Sequence, residues 1–173
     1  MSAAPEGRVW PRLRGLVFAV LAGVVAGSAC NKEPHEARLY FDPSDSTVSI
    51  GTWVEVDVVV DVSEGSLQAF ELAFQATPST SLWIAEARTS DFDDDGQLFV
   101  SPVSDFLAGT LERVVDLRHG ATPVTGTVRL AHLRIVPLQA GTATVTISSA
   151  GLAGAKGQTF ELNLEPLSIE VLP

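Results

Sequence analysis

The 173-residue chain holds one cysteine, one methionine, one tyrosine and three histidines. A single thiol excludes an intramolecular disulfide framework, and no Cys/His cluster has the spacing of a zinc site. Basic residues are scarce as well: 11 Lys+Arg stand against 21 Asp+Glu, for a formal charge of -10. Phosphate binding needs clustered cations, so nucleic acid is excluded as a partner. Charged residues make up only 18% and hydrophobic ones 46%. That composition is too apolar for a disordered acidic tail and suits one folded domain. Catalytic constellations are also missing. His35, His119 and His132 are scattered, and no G-x-S-x-G elbow is present. The chain reads as a non-enzyme.

What is present begins with an address. Arg8, Arg12 and Arg14 precede an apolar stretch, Gly15 to Ala29, of 15 residues. A helix needs roughly 18 to 20 such residues to span a bilayer, so the pattern reads as a secretory signal. The lone Cys30 directly follows Gly27-Ser28-Ala29. This resembles the lipobox of bacterial lipoproteins, although Gly27 stands where such boxes usually carry Leu. The alternative is ordinary cleavage near Ala29, which leaves a free thiol. Lipidation at Cys30 predicts an exported, membrane-anchored lipoprotein of the bacterial cell envelope. The expected divisions are a signal peptide over 1–29, lipidated Cys30 with a short tether over 30–37, and a domain over 38–173. Asn31 to Ala37 would reach only about 20 to 25 Å when extended, which keeps the domain close to the lipid.

Beyond the tether the hydrophobic period is two. In Thr52 to Val62, Val54, Val56, Val58, Val60 and Val62 share one face, with Trp53, Glu55, Asp57, Val59 and Asp61 opposite. Such alternation of β-branched and acidic residues predicts a half-buried antiparallel strand. The pattern returns with Phe70, Leu72 and Phe74, with Ala143, Val145 and Ile147, with Phe160, Leu162 and Leu164, and with Leu167, Ile169 and Val171. Weaker candidates are Ala37 to Phe41, Ser46 to Ile50, Leu82 to Ala87, Leu111 to Leu117 and Thr127 to Val136. Turn residues separate them at Asp42 to Asp45, Ser63 to Ser66, His119-Gly120 and Ala140-Gly141. At most one short helical turn is expected, around Ser101 to Gly109. The prediction is an all-β fold, a two-sheet antiparallel β-sandwich of about nine strands.

The order of these segments resembles a known family. ARLYFDPSDSTVSIG, the Val-rich strand, LQAFELAFQ, GTVRLAHLRIVPLQAGTATVTI and the closing LSIEVL are similar to cohesin domains. The likeness is looser to the carbohydrate-binding superfamily that shares their jelly roll. One departure is Gln75-Ala76-Thr77-Pro78, where many cohesins have Tyr-Asp-Pro. The resemblance implies a cohesin-like jelly roll with a dockerin-like protein partner or a polysaccharide partner. Docking as in cohesins would use the outer face of one sheet, here Ala69, Glu71 and Ala73, then Asp116 and His132. Direct carbohydrate binding, or a structural envelope subunit, is the alternative.

Two further groups are candidates. Sugar binding needs exposed planar aromatics, and beyond Cys30 the chain offers Trp53, Trp83 and Tyr40, with the phenylalanines mostly in core phase. Asp91, Asp93, Asp95 and Gly96 have the D-x-D-x-D-G spacing of calcium loops, in which alternate carboxylates converge on a hard cation. Position 12 of that loop is Pro102 rather than an acid, and no flanking helices are predicted, so an EF-hand does not follow. The choice is between Ca2+ and a solvated acidic turn.

Overall fold

The computed structural model describes residues 34–89, 91–92, 102–117 and 123–173. Cys30, the tether residues before Pro34, Asp93, Asp95 and the His119-Gly120 turn lie outside them. The described residues form ten strands in order: β1 His35–Pro43, β2 Thr47–Ser49, β3 Val54–Thr77, β4 Leu82–Thr89 and β5 Val103–Asp105. Then come β6 Thr110–Leu117, β7 Val124–Pro137, β8 Gly141–Gly154, β9 Phe160–Leu164 and β10 Leu167–Leu172. The helical element among the described residues is a single 3-10 turn, Ala155–Gly157.

The fold turns on β3. Its first half pairs antiparallel with β1 and β7, and its second half pairs antiparallel with β6 and β8. One chain segment therefore crosses from one leaf of the sandwich to the other. The first leaf runs β9-β1-β3-β7-β4, and the second runs β5-β6-β3-β8-β10-β2. The turn expected at Ser63 to Ser66 is absent, and the two strands it was to separate are one. Gly65, at φ +97, absorbs the bend, and the Ser66 N–H and hydroxyl both reach the Gln158 side-chain oxygen, at 3.0 and 3.2 Å. A distant side chain satisfies the backbone there, so no hairpin is needed.

Two pairings are parallel, β1 with β9 and β10 with β2. The first revises the tether. β1 opens at His35, whose N–H donates to Thr159 O at 3.0 Å, so residues 35–37 belong to the sheet. Ala37 is buried. The helical turn expected at Ser101 to Gly109 is replaced by β5 and a tight turn. Asp105 Oδ1 accepts from the Leu107 and Ala108 N–H groups, each at 3.0 Å, which closes the chain back into β6.

The alternating faces meet as the period predicts except on β9, where Phe160 and Leu162 are only partly buried and Leu164 is exposed. All five valines of the even-numbered face are buried, as are Phe70, Leu72, Phe74, Ala143, Val145, Ile147, Leu167, Ile169 and Val171. Leu130, Leu133 and Ile135 of β7, with Leu82 and Ile84 of β4, complete the core. Each large side chain so enclosed contributes about 1.5 to 3 kcal/mol by leaving water. Trp83 closes the side where β4 nears β5. Its Nε1 donates to Ser104 Oγ at 3.0 Å, that hydroxyl donates to Ile84 O at 2.6 Å, and Phe106 stands edge-on to the indole.

Candidate functional site

The outer face of the second leaf is built from small residues. On β3, Ala69, Glu71 and Ala73 point away from Phe70, Leu72 and Phe74, as period two requires. In register beside them on β8 are Ala153, Gly151 and Ser149, and on β6 Leu117 and Val115 lie opposite Ala69 and Glu71. The result is a flat field of methyl groups and backbone around one carboxylate. Glu71 is half-buried, and among the described residues no cation pairs with it. Exposed Val103, Phe106 and Leu107 continue apolar surface along the β5–β6 turn.

Two residues expected on this face are elsewhere. Asp116 is 1% exposed and points inward beside Phe70, its Oδ1 accepting the Leu117 N–H at 2.7 Å. The cause is a bulge. Leu72 pairs with Val114 but Phe74 pairs with Leu111, so Glu112 and Arg113 together face Ala73, and Arg113 takes φ +61. One extra residue inverts the parity of everything after it, which turns Asp116 in and Val115 out. His132 belongs to β7 and hence to the first leaf.

There it joins a charged array that strand-by-strand reading missed. His132 Nδ1 lies 2.7 Å from Asp57 Oδ1, and Nε2 lies 2.7 Å from Glu55 Oε2. Arg134 Nε donates to Glu55 at 3.0 Å and its Nη1 stands 3.6 Å from Glu86, which also holds Arg88 at 2.6 Å. At the other end Arg129 donates to Asp57 at 3.3 Å and forks onto Asp91 at 2.6 and 2.8 Å. Hydrogen bonding to Asp57 raises the His132 pKa, partial burial opposes it, and Glu55 adds to the rise. The two carboxylates beside it, Asp91 first and then Asp57, hold Arg129 charged. The signal for this array was available: acids two apart on β3 register with bases two apart on β7.

The aromatics form no shared platform. Trp53 is 53% exposed with the Arg134 guanidinium 4.9 Å over its ring. Tyr40 lies beside Val59, six residues and about 20 Å along β3 from Trp53, and carries Arg38 at 4.8 Å. The Trp83 ring is turned toward Ser104 and Phe106. Of the calcium candidates, Asp91 is committed to Arg129, while Asp93 and Asp95 lie outside the described residues.

No known protein-family profile and no curated protein matches the chain. Solved structures do. A cohesin module of a Clostridium perfringens family 33 glycoside hydrolase superposes with a TM-score of 0.64 at 14% identity, covering 79% of this chain and 97% of that one. The domain has the cohesin fold. A type I cohesin from Clostridium thermocellum, solved in complex with a dockerin, gives 0.62 at 10% identity over 84% of this chain and 100% of the other. A non-cellulosomal cohesin from the archaeon Archaeoglobus fulgidus gives 0.62 at 7% identity, over 80% and 92%. At such identities the likeness lies in the backbone path, so the cohesin-like face has to be judged on its own residues. Its β8 part, Ser149, Gly151 and Ala153, was not among those expected. The stretch Ser148 to Gly154, small at every position but Leu152, was the available sign.

Proposed function

We propose that this chain is a non-catalytic protein-docking module with a dockerin-type partner, carried on a lipoprotein of the bacterial cell envelope. The observation that carries the reading is the small-residue outer face of the second leaf. A flat, small-residue sheet surface around an unpaired Glu71 suits a broad protein contact, because little side-chain freedom is lost when it is covered. Four acids on the β7 side of the first leaf differ from Glu71 in this respect, since Glu55, Asp57, Glu86 and Asp91 are all neutralised within the chain. The dockerin seen with the Clostridium thermocellum neighbour supplies the class of partner. Polysaccharide association would then belong to the assembly the partner brings.

The test is calorimetric titration of the full-length protein with a panel of dockerins. Ala73→Arg places a long cation in the middle of the flat field and should weaken any binding at least tenfold while the fold is retained. Binding unaffected by Ala73→Arg would move the interface off this face. No binding across the panel would remove the dockerin reading.

A further inference from the structure

Both ring nitrogens of His132 contact carboxylate oxygens at 2.7 Å, Asp57 on one side and Glu55 on the other. Carboxylates only accept, so both nitrogens have to donate, and only the imidazolium can do that. The groups around it are charged on every side. β3 contributes Glu55 and Asp57, β7 itself contributes Arg129 and Arg134, and β4 places Arg88 in register with His132 and Glu86 in register with Arg134. With Asp91 these make, among the described residues, four carboxylates and four cations in alternation, a set whose charges balance with the His132 proton on and leave one excess negative charge with it off.

We propose that His132 is a proton-operated brace, whose imidazolium keeps Arg129 on Asp91 and so holds the Asp91–Phe92 step against the sheet. A neutral imidazole donates to one carboxylate and turns a lone pair toward the other, and at that distance the second contact is repulsive. Asp57 then draws on Arg129, its other cationic contact, at 3.3 Å. Arg129 is the group that forks onto Asp91. The Asp91 N–H donates to Arg129 O at 3.1 Å, and the next residue, Phe92, is fully buried edge-on to Phe70. Loosening Asp91 thus loosens the residue that seats an aromatic ring in the core. The raised pKa of His132 places the release on the alkaline side of an ordinary histidine.

The experiment is ring-nitrogen NMR on the 15N-labelled full-length protein, with amide exchange corrected for intrinsic pH dependence. At pH 6.5, where a free histidine is about half neutral, both His132 nitrogens should be protonated. Protection of the Asp91 amide should fall roughly three- to tenfold as pH rises through the His132 titration. In His132→Gln that pH dependence should vanish, and in Arg129→Gln protection should be low throughout. A neutral tautomer at pH 6.5 overturns the proposal from the wild-type spectrum alone. Unchanged pH dependence in His132→Gln overturns it equally.

Discussion

Phe92 stands edge-on to Phe70, with ring centroids 5.0 Å apart and planes at 76°, and both side chains are fully buried. The pair ties the residue that follows the β4 region to the strand carrying Ala69 and Glu71. Emptying that position removes a large apolar group and leaves a void that a rigid sheet cannot close. Phe92→Ala should cost about 3 to 5 kcal/mol in denaturant unfolding. A loss below about 1 kcal/mol would mean that the ring is not packed here.

Gly109 and Gly51 form a controlled comparison, since both have positive φ, +65 and +78. A Cβ on Gly51 meets nothing within 4 Å, whereas one on Gly109 would stand 2.7 Å from Ser79 O. Gly51→Ala therefore carries only the left-handed backbone cost, about 1 to 2 kcal/mol. Gly109→Ala adds a clash with main chain and should lower the melting temperature more than Gly51→Ala does. Equal melting temperatures would contradict this packing of the β5–β6 turn.

Two titrations bracket the pH of greatest stability. Arg38 bonds Glu165 at 2.5 and 2.9 Å and lowers its pKa below 4.5, so that contribution is complete above 4.5 and is lost as pH falls through the depressed value. His132 is shifted the other way. Its contribution is complete below 6.5 and is lost as pH rises through the raised value. Thermal melting should plateau between about pH 4.5 and 6.5 and decline on both sides. His132 has 39% of its side chain exposed, so the alkaline decline should stay below about 1 kcal/mol. His132→Gln should remove that decline and leave the acid limb intact.

Lipidation at Cys30 predicts that Cys30→Ser shifts the protein from the membrane fraction to the soluble one. Several acyl chains hold a protein firmly, since each buried methylene contributes about 0.8 kcal/mol. Metabolic labelling with a fatty-acid analogue should mark the native chain and miss the variant. Membrane retention of Cys30→Ser without label would point to another mode of attachment.

Most of the fold was legible because side-chain parity along a strand is local. Alternating valines declare a buried face whichever strand lies beside them, and the β3, β8 and β10 faces follow from period two alone. The same rule picked out Ala69, Glu71 and Ala73. It failed at Asp116, where an extra residue at Glu112–Arg113 resets the count, and at Ser63 to Ser66, where turn chemistry serves a bend inside one strand.

The scarcity of cysteine and of positive charge, the apolar stretch from Gly15 to Ala29, the period of two and the resemblance to cohesins all belong to the sequence itself. Tertiary structure decided which leaf each strand joins, and so separated His132 from the flat face and set it between Asp57 and Glu55. It also decided which acids are neutralised and left Glu71 without a cation among the described residues. The physical reason is the range of the determinants. Parity depends on neighbours in the chain, while leaf membership, bulges and ion pairs depend on hydrogen-bond partners that lie far away in sequence.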